Sequence, residues 1–140
     1  NYYNINIAVD TEEGLVVPVI KNADRLSILE ISKEIIRLSE KARDRKLELS
    51  DYKDGTFSVT NYGSIGGTYG VPVINYPQVA ILGIGRIMET PVVKDGEIAV
   101  GNVLPLSISV DHRVVDGGDT GRFLNRLMSY LKDPVSLILY

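Results

Sequence analysis

His112 is the only histidine in the chain, and the chain has no cysteine. It lies in Ser109-Val110-Asp111-His112-Arg113-Val114-Val115-Asp116-Gly117-Gly118. Imidazole titrates near neutrality, so it can take a proton from a weak acid at pH 7. A lone histidine is also commonly structural, so residue type alone does not assign it. Its position says more. A strand-like run, Leu104 to Val110, delivers His112 to the end of an extended segment. Polar and glycine residues follow, and then a helix-like stretch from about Thr120 to Lys132. A loop between rigid elements is a good place for a general base. Asp116, four residues on, suggests an Asp-His pair. Thr60 offers a hydroxyl, although by itself it reads as an ordinary strand threonine. Without cysteine there is no thiolate nucleophile and no disulfide, so any thiol chemistry needs substrates that bring the thiols. One histidine also argues against a zinc or haem site.

The elements that must position these residues can be read from periodicity. Ile5 to Asp10 begins with strand alternation, Thr11-Glu12-Glu13-Gly14 is a turn, and Leu15 to Ile20 returns as a second strand. Pro18 within that return argues for an edge or a bulge. Ser27 and Glu30 form a capping box, and Leu26 could staple onto Ile31. Ile28, Ile31, Ile35 and Leu38 recur at helical spacing, predicting a helix to about Arg45. The basic cluster Lys41, Arg43, Arg45 and Lys46 is read as a solvated face, with partner docking as the alternative.

Thr56 to Asn61 predicts a short strand with Phe57 and Val59 on one face and Ser58 and Thr60 on the other. Residues 63–70 form a glycine-rich loop, and two prolines exclude a regular central strand over 71–77. Gln78 to Ile84 reads as a buried strand. Val92 to Val100 reads as a hairpin about Asp95-Gly96, and Val103 to Val110 as one long strand. Phe123, Leu124, Leu127 and Leu131 share a face of the last helix, which Asp133-Pro134 stops. This is an α+β sandwich with mixed sheet pairing.

The 140 residues suggest one domain, with an ordinary 44% apolar and 24% charged composition. A net charge of −3 leaves no basic footprint for nucleic acid. No apolar run reaches the roughly 20 residues of a membrane span. Asn1-Tyr2-Tyr3-Asn4 lacks the features of a signal peptide, and an intracellular setting is expected. Gly63-Ser64-Ile65-Gly66-Gly67-Thr68 has neither the lysine nor the following helix of a phosphate loop. Gly83-Ile84-Gly85 is no dinucleotide fingerprint, and there is no Gly-x-Ser-x-Gly elbow.

Asp111-His112-Arg113 with Asp116-Gly117 resembles the active-site signature of the acyltransferase (E2) components of 2-oxo acid dehydrogenase complexes. Ile7 to Thr11 with Gly14 to Ile20, Phe57 to Asn61 with Gly66-Gly67, Pro72 to Asn75, Ala80 to Gly83, and Leu106 to Arg113 are similar to that family in the same order. Chloramphenicol acetyltransferases are a looser match, since they tend to carry a second histidine at the position of Asp111.

The resemblance implies a chloramphenicol-acetyltransferase-like mixed-sheet sandwich with helices packed on the sheet. It implies transfer of an acyl group between the dihydrolipoyl group of a lipoyl domain and coenzyme A. His112 would be the base, Thr60 the hydroxyl that steadies the tetrahedral oxyanion, and Asp116 a support held in an ion pair. Arg113 would anchor the loop. The acyl group is expected to be branched-chain or acetyl rather than succinyl. A homotrimer is implied, with His112 of one subunit facing Thr60 of its neighbour, in a large hollow cubic or icosahedral core. The apolar tail Leu137 to Tyr140 would join trimers. The lipoyl domain and the E1 and E3 components would be partners, with no nucleic acid and no membrane. The location would be cytoplasmic, or the mitochondrial matrix in a eukaryote. Family catalytic domains are longer at the N-terminus, so the chain is expected to be the C-terminal part of such a domain. The alternative is a truncated structural scaffold that assembles without catalysing.

Overall fold

The computed structural model describes residues 2–133 and 135. At its centre is a five-stranded mixed sheet in the order β4-β1-β5-β6-β9. β1 (Ile5–Ile7) pairs antiparallel with β4 (Val19–Ile20) and parallel with β5 (Phe57–Asn61). β6 (Ala80–Ile84) runs parallel to β5, and β9 (Leu106–Val110) runs antiparallel to β6. Two ribbons stand apart: β2 (Val9–Thr11) with β3 (Gly14–Val16), and β7 (Met88–Lys94) with β8 (Glu97–Val103). The expected α+β class with mixed pairing is what the chain adopts.

α1 (Ile28–Arg43) starts at the expected capping box: the Ser27 hydroxyl accepts from the Glu30 amide, and the Glu30 carboxylate accepts from the Ser27 amide. The carboxylate accepts from the Ser27 hydroxyl as well, which holds its pKa below the usual value. α1 contacts β2 and β4 and buries Leu38 and Ala42. It stops at Arg43, two residues before the expected end. Arg45 has φ +59°, a left-handed conformation that ends helices. α2 (Gly117–Lys132) covers the face of Phe57, whose ring lies 5.8 Å from that of Phe123. Burial of such aromatic pairs contributes beyond area alone.

Three expectations are corrected. The predicted long strand Val103 to Val110 is two strands, β8 and β9, broken at Leu104-Pro105. Proline has no amide to give the ladder, so β8 leaves the sheet and pairs with β7 alone. The hairpin there is correspondingly longer than Val92 to Val100, and Pro91 is tolerated because the ribbon has only two strands. The last helix begins at Gly117 rather than Thr120. The first hairpin forms as two short ladders, with Val17 and Pro18 between β3 and β4, and β4 is an edge strand of the central sheet, in line with the edge or bulge expected at Pro18. The tail Leu137 to Tyr140 lies outside the described residues.

Candidate functional site

Thr60 stands near the end of β5, and alternation puts its side chain on the same face as Ser58. That face carries polar groups under the surface. The buried Ser58 hydroxyl donates to Gln78 Oε1 at 2.6 Å, and Gln78 Nε2 donates to Asn6 Oδ1 at 2.6 Å. Asn6 Nδ2 donates to the Val17 carbonyl at 3.1 Å. This chain of bonds ties β5, β1 and the segment between β3 and β4 together, and every member is satisfied, as buried amides require. A Cβ at Gly55 would fall 1.7 Å from Asn6 Oδ1, so only glycine leaves room for the network.

Thr60 pairs across the ladder with Gly83, and Gly83 pairs with Ser107. The three share one row and one face. Gly83 has no side chain, and the Tyr62 ring occupies the vacant space. A Cβ at Gly83 would lie 2.7 Å from Tyr62 Cε1. The Tyr62 hydroxyl is 2.8 Å from Ser107 Oγ. Gly67 and Gly70 close on the other parts of the ring, where a Cβ would come within 3.0 and 3.1 Å. The glycine-rich loop therefore wraps a tyrosine rather than a phosphate. Thr60 and Tyr62 open into a cleft of about 630 Å³, whose other walls include Ala8, Val17, Ile65, Tyr69 and Ile74. Around it Val71, Val73 and Tyr76 are 88%, 85% and 91% exposed. Exposed apolar side chains grouped in this way are of the kind found at interaction surfaces.

His112 lies elsewhere. β9 ends at Val110, where the Asp111 amide donates to the Val79 carbonyl and the Asp111 carbonyl accepts from Val114 and Val115. The resulting turn exposes His112. The Asp111 carboxylate accepts from the Arg113 amide, Nε and Nη2, linking the residues before and after His112. Those bonds hold the Asp111 carboxyl down to about 2. Arg113 is thus the loop anchor that was expected. Asp116 has a different duty from the expected ion pair. Its carboxylate accepts from the Asp119 amide at 2.8 Å and caps α2, and no ion pair among the described residues includes it. A carboxylate at a helix N-terminus also meets the positive end of the helix dipole.

The register separates the two ends. Val110 is three residues beyond Ser107, so it lies about 10 Å along the strands from the row of Thr60, and two strands, about 10 Å, across. His112 is farther along the chain still and does not line the Thr60 cleft. Within one chain His112 and Asp116 share a turn, and Thr60 does not join them. Tyr62, Ser107 and the Ser58-Gln78-Asn6 network escaped the sequence reading. The available signals were Tyr62 two residues after Thr60 and glycines at 67, 70 and 83 with no turn to explain Gly83. Among the described residues no group of three or more histidine, cysteine or acidic side chains could hold a metal. No helix among them is long and apolar enough to cross a membrane.

The chain thus carries a strand hydroxyl in an apolar cleft and a strand-end histidine on one mixed sheet. Residues 1–139 match the family model of the 2-oxoacid dehydrogenases acyltransferase catalytic domain, and the chain belongs to that family. It is 52% identical over 139 residues to the dihydrolipoyllysine-residue acetyltransferase component of the pyruvate dehydrogenase complex of Bacillus subtilis, covering 99% of this chain and 31% of that protein. The counterpart from Acholeplasma laidlawii is 49% identical, with 99% of this chain and 25% of that protein covered. The crystal structure of the Azotobacter vinelandii dihydrolipoamide acetyltransferase superposes with a TM-score of 0.93 at 42% identity, over 99% of this chain and 57% of that one. The cubic core of a pyruvate dehydrogenase multienzyme complex gives 0.94 at 42% identity, again over 99% and 57%. The chain thus spans about a third or less of the length of these curated relatives and a little over half of these solved chains.

Proposed function

We propose that this chain carries both halves of an acetyl-transfer site between dihydrolipoamide and coenzyme A, with the halves completed by two copies. The observation that carries the reading is the separation of His112 from Thr60 on one sheet. Each group suits one part of thioester exchange. A free thiol has a pKa of about 8.5, so little thiolate exists at pH 7 without a base. His112, exposed on its clamped turn, takes the proton of the coenzyme A thiol as the sulfur attacks the thioester carbonyl of the acyl-dihydrolipoamide. The carbonyl π pair moves onto oxygen, and the Thr60 hydroxyl donates to that oxyanion in the apolar cleft, where such a bond counts most. Collapse expels the dihydrolipoamide thiolate, which recovers the proton from His112. No metal or redox partner is needed to balance the exchange.

The mechanism of the Azotobacter enzyme has been investigated at a serine, a histidine and an asparagine. Thr60, His112 and Asp116 have the same spacing along this chain, which supports their assignment. Acetyl is favoured as the acyl group because the curated relatives are acetyltransferase components of pyruvate dehydrogenase complexes. Assembly into a large core rests on the cubic-core neighbour and on the uncovered apolar side chains around the cleft. Lipoyl domain, E1 and E3 partners follow from the same reading, as does the place of this chain within the catalytic domain of a longer protein. The test is acetyl transfer from acetyl-coenzyme A to free dihydrolipoamide by the full-length protein. Steady turnover that His112→Ala removes is expected. No turnover by a correctly assembled protein would leave the scaffold reading.

A further inference from the structure

The row Thr60-Gly83-Ser107 constrains more than the oxyanion. If Thr60 donates to the thioester oxygen, the acyl carbon lies within a hydrogen bond's reach of its hydroxyl, and the acyl substituent must go into the space beside it. On the β6 side that space belongs to the Tyr62 ring, seated on Gly83 and fixed by its hydroxyl to Ser107 at 2.8 Å. Gly67, Gly70 and Gly83 let the backbone approach the ring so closely that a Cβ at any of them would come within 3.1 Å of Tyr62. Pro72 packs beside it, where a Cβ at Gly83 would meet Pro72 Cγ at 3.3 Å.

We propose that Tyr62 is the specificity-determining wall of the acyl pocket and limits this enzyme to short, unbranched acyl groups. The inference rests on the assignment of Thr60 and His112 to thioester exchange. A rigid wall rejects an added methylene or branch by steric exclusion, and differences of one such group are worth about tenfold or more in kcat/KM. The ring supplies the wall, and the hydroxyl only holds the ring in place.

The experiment compares acetyl-, propionyl-, isobutyryl- and isovaleryl-coenzyme A as donors to free dihydrolipoamide, using the full-length protein. Each variant is read as the ratio of kcat/KM for isobutyryl to that for acetyl, so a loss of folded enzyme cancels. The unmodified protein should prefer acetyl. Tyr62→Ala should raise the ratio by about tenfold or more, Tyr62→Leu should raise it less, and Tyr62→Phe should leave it within about twofold. A ratio unchanged in Tyr62→Ala and Tyr62→Leu, with all donors slowed alike, would make Tyr62 purely structural and overturn the proposal. A Tyr62→Phe shift as large as that of Tyr62→Ala would overturn the assignment to the ring. Retention of turnover by His112→Ala would overturn the underlying reading separately, since it leaves the Tyr62 ratio unaffected.

Discussion

The two ends of the central sheet are built differently. At the Thr60 end, interior packing fixes the site: a satisfied chain of amides beneath, a tyrosine held by three glycines beside, and apolar walls around. At the His112 end the imidazole is exposed, and local polar bonds fix its turn: the Asp111–Arg113 clamp and the Asp116 cap. In the proposed reading the first end holds the acyl group against apolar walls, and the second presents a base outward to an arriving thiol. An outward-facing base and an open apolar cleft at different places on one chain make sense when a second copy brings them together.

The largest expected effect is at the exposed end. His112→Ala should lower acyl transfer by about a thousandfold, within the range of general-base contributions. Steady-state rates of the assembled variant check this. Near-normal turnover in an assembled His112→Ala protein would dissolve the distinction between the two ends.

At the packed end, Thr60→Ala should lower kcat by about two orders of magnitude with little change in KM, because the hydroxyl acts on the transition state. The pH profile should keep its shape. Thr60→Ser should retain much of the rate. A change confined to KM would make Thr60 a binding residue instead.

The smallest effect concerns Asp116. As a helix cap, Asp116→Ala should destabilise the protein by about 1 kcal/mol. Asp116→Asn keeps a capping oxygen and should restore most of that, as thermal unfolding would show. Equal losses in both variants would indicate that the charge, rather than the cap, matters.

The same contrast decides what the sequence could reveal. Local devices were legible: the Ser27 and Glu30 capping box, the interruption at Pro18 and the turn at Asp95-Gly96 follow from chemistry within a few residues. His112 was singled out by its residue type and its place at the end of a strand, and Thr60 was found through a family resemblance, with the alternation of Ser58 and Thr60 placing its face. The break at Pro105 was missed because the apolar run Val103 to Val110 hid a residue that cannot donate to a ladder. Asp116 was given a charge partner by the family resemblance, and its cap was missed because the last helix was expected to begin only at Thr120. Tyr62 and the amide network were invisible for a physical reason. They depend on Gly83, Ser107, Gln78 and Asn6, which pairing across strands alone brings near.

Mixing two inactive variants tests the division between the ends most directly. His112→Ala and Thr60→Ala proteins would be dissociated together and reassembled, then assayed for acetyl transfer beside each variant reassembled alone. A site shared between copies predicts recovery to about one quarter of the unmutated rate, because random assembly joins an intact His112 to a neighbour's intact Thr60 at about one interface in four. If the mixture stays as inactive as its components while assembling normally, both groups act within one chain and the account is wrong.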